Sequence, residues 1–198
     1  MLNDSIAAAL GFDSQGQRGV QSLAESCTAH DAPTLAFHLW NVCGFRGDQH
    51  SYDAVQNSFV SEVIKRRRGI PITLAAIMID VGAAIGIALS GIGMPGHFLV
   101  RETQCSDRYF DLFHGPRPID ESACRALLGA AEHRVPWSPT FLEPVSPAQM
   151  ALRMLTNLKS LFRRTGDIRS LQITMQLRRH LVGPHEESEF AKLMRETN

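Results

Sequence analysis

Between Pro71 and Gly86 the sequence is apolar on every side of a helical wheel. Leu74, Ile77, Met78, Val81 and Ile85 recur at helical spacing, while Ile72, Ala75, Ala76, Ile79, Ala83 and Ala84 fill the other faces. A helix with almost no polar face has to be surrounded by protein, so the rest of the chain must wrap it. Pro71 stands at its opening position, where a missing N–H costs nothing. The longer run from Gly69 to Pro95 is broken by Thr73, Asp80 and Ser90 and by four glycines. It therefore reads as protein interior, not as a membrane span of ~20 predominantly apolar residues. With 198 residues the chain is long enough to bury such a helix in one core.

The flanking segments supply the wrapping. Residues 1–65 read as helical, with one amphipathic piece over 21–27 and another over 34–40 opened by Pro33. Gly44-Phe45-Arg46-Gly47-Asp48 reads as a loop. Asn57 is the expected N-cap of a helix over 58–67, and Gly69 the expected left-handed residue at its end. After the buried helix come three extended segments, 88–92, 97–101 and 109–113; the last two alternate and read as an antiparallel hairpin. A short helix is expected over 121–128, then a connector with four prolines between Pro136 and Pro147. Ser146-Pro147-Ala148-Gln149 has capping-box spacing and opens a helix that stops at Gly166. Asp167 caps a second helix reaching about Val182, and Gly183-Pro184 precedes a last short one. The helical hairpin so formed has an expected seam of Leu152, Leu155, Leu158, Phe162, Leu171, Met175 and Leu181. This divides the chain into a core over 1–135 and a connector plus hairpin over 136–198.

Lys and Arg together number 20, as do Asp and Glu, which argues against a nucleic-acid or anionic-membrane partner captured by overall charge. The run Lys65-Arg66-Arg67-Arg68 could contact phosphate, but cations in a helix's last turn also complement its dipole and stay solvated. Cys27, Cys43, Cys105 and Cys124 lie far apart with no CxxC, and the N-terminus lacks a basic n-region. Four free thiols in a cytoplasmic protein is the expectation. His114 and His133 lie in loops without a metal-spaced partner and read as surface residues, so neither a metal nor a cofactor is expected.

The chemistry concentrates on Pro95-Gly96-His97-Phe98-Leu99-Val100-Arg101 and Tyr109-Phe110-Asp111-Leu112-Phe113. If the hairpin centres on Gln104, His97 and Asp111 are direct cross-strand neighbours on one face. A carboxylate beside an imidazole fixes its tautomer and stabilises the imidazolium, which is the orienting half of a nucleophile–His–Asp triad; the same pair can equally just pin two strands together. Thr73 is the one hydroxyl at the start of the buried helix, readable as a cap or as a nucleophile.

Taken together, Gly44-Phe45-Arg46-Gly47, Tyr52, Asn57-Ser58, Arg68-Gly69-Ile70-Pro71-Ile72, the PGHFLVR block and Phe110-Asp111-Leu112-Phe113 resemble the SirB-type transglutaminase-like family. The stretch from Leu155 to Asp167 is similar to the tetratricopeptide-like tail that follows the core there. The resemblance covers about residues 35–182 and implies an α+β fold. Its core would be papain-like, a buried helix on a small antiparallel sheet, with a helical N-terminal region and a C-terminal helical hairpin. It also implies a cleft containing Arg46, Asn57, Arg68, Pro71, Gly96 and Phe98 beside a His97–Asp111 pair. Pro71 falls where cysteine-using members carry their nucleophile. The expected function is thus a non-catalytic module that binds a protein or peptide. The alternative is a hydrolase or acyl transferase in which His97 activates water or Thr73.

Overall fold

The computed structural model describes residues 2–104, 107–130 and 135–181. Four helices precede the buried one: α1 Leu2–Ala9, α2 Gly16–Glu25, α3 Ala32–Phe37 and α4 Val60–Arg66. Asp31 caps α3 by accepting from the Thr34 amide at 2.8 Å, and a π-turn over His38–Val42 extends that helix. Two strands of two residues each, β1 Arg46–Gly47 and β2 Arg68–Gly69, pair in parallel and bracket the segment leading into α5, Pro71–Ala84.

Helix α5 is buried as its composition requires: every residue from Pro71 to Met78 is inaccessible, as are Val81 and Gly82. Helices α2, α3 and α4 pack on it from one side and strands β3 Leu89–Ile92 and β4 Leu99–Glu102 from the other. The sheet continues with β5 Tyr109–Phe110 and β6 Pro118–Ile119 on one edge and β7 Pro144–Val145 on the other. Its order is β6-β5-β4-β3-β7, antiparallel at every pairing. Phe98, Val100 and Phe110 join the α5 core, whereas Ile92, Leu99 and Tyr109 pack with Cys124 and Leu128 of helix α6, Glu121–Ala130. Both faces of the sheet are thus covered, and the alternation along β4 serves two cores.

The described residues end with α7, Pro147–Thr165, and α8, Ile168–Arg179. The capping box is present: Ser146 Oγ accepts from the Gln149 amide at 3.2 Å, and Gln149 Oε1 accepts from the Ser146 amide at 2.7 Å. Leu155, Leu158 and Phe162 meet Leu171 and Met175, and the seam also takes in Ile6 and Ala7 of α1 and Phe59. No described helix is long and apolar enough to cross a membrane.

Several local expectations need correction. Helix α4 starts after Phe59, because residues Val55–Ser58 form a separate 3-10 turn; Asn57 spends its side chain on a neighbouring loop and caps nothing. The left-handed residue ending α4 is Arg67, at φ 57°, two positions before Gly69, which is held in β2. The hairpin pairs Val100 with Phe110 and Arg101 with Tyr109, a register two residues beyond a centre at Gln104. The proline-marked connector is part strand, since β7 pairs with β3. Helix α8 ends at Arg179, and Leu181 is exposed, outside the seam. Cys105, His133 and the helix expected after Gly183 lie outside the described residues.

Candidate functional site

Asp111 follows β5 directly and begins a turn in which its carbonyl accepts from the Gly115 amide at 2.9 Å. The carboxylate folds back on the same turn, Oδ1 accepting from the Phe113 amide at 3.0 Å. This leaves Oδ2 free to face His97, which the Pro95-Gly96 turn places two residues before β4, outside the strand expected over 97–101. Gly96 adopts φ 74°, a left-handed conformation that costs a residue with a Cβ but not glycine. His97 Nε2 lies 2.9 Å from Asp111 Oδ2. The pairing of β4 with β5 is shifted by two residues from the expected register, and both residues lie just outside the paired strands, yet the two side chains still meet.

A third group joins them. His114 Nδ1 lies 2.7 Å from the same Oδ2, and its ring stacks on that of His97 with centroids 5.4 Å apart. His114 is therefore a member of the site, contrary to its reading as an isolated loop histidine. Its sequence signal is weak: an Asp-x-x-His turn at the end of one strand, opposite a histidine at the start of its partner. Burial pushes the Asp111 carboxyl up, but the hydrogen bonds from His114 and His97 prevail and hold it well below the usual carboxylate range. Asp111 in turn raises the His114 imidazole, against the opposing effect of its partial burial. The Phe113 ring contacts both imidazoles edge-on, and Tyr52 packs edge-on against Phe113 at 5.9 Å. On the other side of His114 a groove of about 600 Å³ opens between the 114–119 loop and the Ala123, Ala126 and Leu127 face of α6.

The start of α5 is organised differently. Thr73 is fully buried; its hydroxyl donates to the Asn57 carbonyl at 2.8 Å and accepts from the Ile70 amide at 3.2 Å. That hydroxyl is a cap. Asn57 is also fully buried, donating to Asp48 Oδ2 at 3.1 Å and to the Ser51 carbonyl at 2.7 Å while accepting from Arg66 at 3.0 Å. Pro71 is buried at the first turn of α5 and offers no reactive atom. Phe98 lies in the main core against Gly91. Arg46 stacks on Trp40 with its guanidinium 4.1 Å from the ring centroid, and Arg68 donates to the Gly44 carbonyl at 3.3 Å. Of the expected catalytic and cleft residues, the structure brings together His97 with Asp111, Asn57 with Thr73, and Arg46 with Arg68 across β1 and β2.

The basic run is dispersed. Lys65 pairs with Asp13 at 2.6 Å, Arg66 with Asp48 at 3.2 Å, and Arg67 lies over the Phe45 ring. Cys124 is buried on the sheet-facing side of α6, and burial pushes its thiol up to about 12, while Cys27 and Cys43 are partly buried at the edge of the main core.

A model of the transglutaminase-like superfamily matches residues 13–156. A UPF0162 protein of Xylella fastidiosa is 34% identical over 133 residues, which cover 65% of this chain and 47% of the relative. One from Vibrio cholerae is 30% identical over 128 residues, 64% and 46% of the two chains. Mouse F-box only protein 21 is 27% identical over 148 residues, 70% of this chain and 23% of that protein. The chain thus spans about half the length of the bacterial relatives it matches. No solved structure matches it significantly. The chain belongs to the transglutaminase-like superfamily.

Proposed function

We propose that this chain is a transglutaminase-like module without a cysteine nucleophile, and that it binds a protein or peptide in the groove beside His114. One observation carries the reading: the start of α5 holds a buried Pro71 and a Thr73 hydroxyl already committed to capping, so no reactive thiol or free hydroxyl stands there. A buried helix followed by antiparallel strands, with His97 just before one and Asp111 just after the next, supports a papain-like arrangement of the SirB-type branch. On this reading α7 and α8 form a tetratricopeptide-like tail, and the protein works in the cytoplasm. The groove suits an apolar side chain, with Ala123, Ala126 and Leu127 along one wall and Arg117 at its rim to meet a peptide carbonyl or carboxylate.

The test is selection of peptides from a displayed random library on the intact chain, followed by fluorescence anisotropy with the selected sequences. Ala126→Trp, which fills the groove from an exposed position, should abolish binding without altering the circular dichroism spectrum. Failure to select any peptide, or binding indifferent to Ala126→Trp, overturns the proposal.

The 2.9 Å His97–Asp111 pair favours a second reading, a hydrolase in which His97 activates water. Amidase activity that disappears in a folded His97→Ala variant would establish it. Iodoacetamide labelling separates both readings from a displaced cysteine nucleophile: labelling rates should be the same in wild type and His97→Ala.

A further inference from the structure

His97, Asp111 and His114 present two imidazole nitrogens and one carboxylate oxygen, all within 4.8 Å of one another. We propose that His97 Nε2, Asp111 Oδ2 and His114 Nδ1 form a binding site for a divalent transition-metal ion of the zinc or cobalt class. This assignment does not depend on what the neighbouring groove binds.

The donor set selects the class of ion. Imidazole nitrogen with one carboxylate suits zinc, cobalt, nickel and copper, whereas magnesium and calcium require a shell of oxygens. The three donor atoms converge on one point, with the two imidazole nitrogens on either side of Oδ2 and all within 4.8 Å of one another. Oδ2 lies 2.9 Å from Nε2 of His97 and 2.7 Å from Nδ1 of His114. Ligands on a tetrahedral ion with bonds of about 2.0–2.1 Å stand roughly 3.3 Å apart, so the two contacts to Oδ2 open and the His97 and His114 rings rotate to set their nitrogens at that spacing when the metal enters. In doing so the ion replaces the protons that otherwise bridge the two nitrogens to Oδ2.

Three further features mark the cluster as preorganised. The Phe113 amide holds Oδ1 at 3.0 Å, which fixes the carboxylate plane and leaves Oδ2 as a single-oxygen ligand. Asp111 is buried, and the His97 side chain is only 12% exposed, so two of the three ligands are set by packing. The third, His114, has a side chain 48% exposed and lines the groove together with Asp111. An ion held by these three groups would keep its remaining position toward the groove, available to water or to a donor on a bound molecule. Three protein ligands and one open position is the pattern of a zinc site that exchanges ligands, not one that only staples a fold.

The test uses the purified chain, stripped with chelator and titrated with cobalt(II) alone. The expected result is a saturable set of visible ligand-field bands, one cobalt per chain, bleached by zinc(II). His114→Ala should keep the wild-type circular dichroism spectrum, because the side chain is half exposed. It should weaken binding by more than the about 10–100-fold typical of disturbing an outer partner. His50→Ala, at an exposed histidine elsewhere, should bind as wild type does. His114→Cys should restore binding and add a near-ultraviolet thiolate-to-cobalt charge-transfer band. Absence of saturable bands in wild type, bands unchanged in His114→Ala, or loss of binding in His50→Ala overturns the proposal.

Discussion

The Thr73 hydroxyl hydrogen-bonds the Asn57 carbonyl at 2.8 Å, tying the first turn of the buried helix to the 3-10 turn that precedes α4. The same oxygen accepts from the Ile70 amide. Thr73→Ala would remove the cap and strand a buried carbonyl, so a loss of about 2 kcal/mol is expected in urea unfolding. Thr73→Ser keeps the hydroxyl and should stay within about 0.5 kcal/mol of wild type. Equal stability of wild type and Thr73→Ala would restore the hydroxyl as a free reactive group.

Asp111→Asn tests the centre of the cluster. The carboxylate receives hydrogen bonds from two imidazoles and a backbone amide and is 4% exposed. Replacing its charge should cost roughly 1.5–3 kcal/mol, measured as a lower urea midpoint at unchanged slope. A variant as stable as wild type that had lost a turnover step would place Asp111 in catalysis and not in the framework.

Asp48 carries a pH dependence of defined sign. Burial would raise its carboxyl, but hydrogen bonds from the Ser51 amide and Asn57, with the Arg66 guanidinium beside it, hold it below the usual range. Its stabilising contribution is present above the unfolded carboxylate value of about 3.9 and is lost as pH falls through the lower folded value. Stability should therefore decline more steeply below about pH 4 in wild type than in Asp48→Asn, which should already be weaker at pH 7. Parallel acid-unfolding curves for the two proteins would exclude this role.

What the sequence makes legible here follows from how local each signal is. Helix α5 can be read because a run with almost no polar face needs protein all round it, as Pro71–Met78 have, and the box at Ser146 and Gln149 because its two halves lie three residues apart. His97 and Asp111 meet despite the error of register because each lies within two residues of the paired strands β4 and β5, which hold the two segments side by side. Strands β1, β2 and β7 have two residues each, too short for any alternation to show, and the β1–β2 pair joins segments 22 positions apart. His114 is hidden for a related reason: it reaches Asp111 through the curl of a turn, which no helical or strand spacing encodes.

That turn is braced by β1, where Gly47 packs against Phe113 and leaves no room for a side chain. A Cβ there would lie 2.5 Å from Cδ2 of Phe113 and 2.6 Å from the Phe113 carbonyl oxygen, so relief requires the backbone itself to move. Phe113 is the residue whose amide orients Asp111 and whose ring flanks both histidines. Gly47→Ala should cost about 1–3 kcal/mol in urea unfolding, as overpacked sites do, and should also weaken cobalt binding by displacing Asp111 and His114. Gly115→Ala is the matched control in the same turn, because a Cβ at that position meets nothing within 4 Å. It should stay within about 0.5 kcal/mol of wild type. If Gly47→Ala were as stable as Gly115→Ala, β1 would not be the brace that sets the geometry of the cluster.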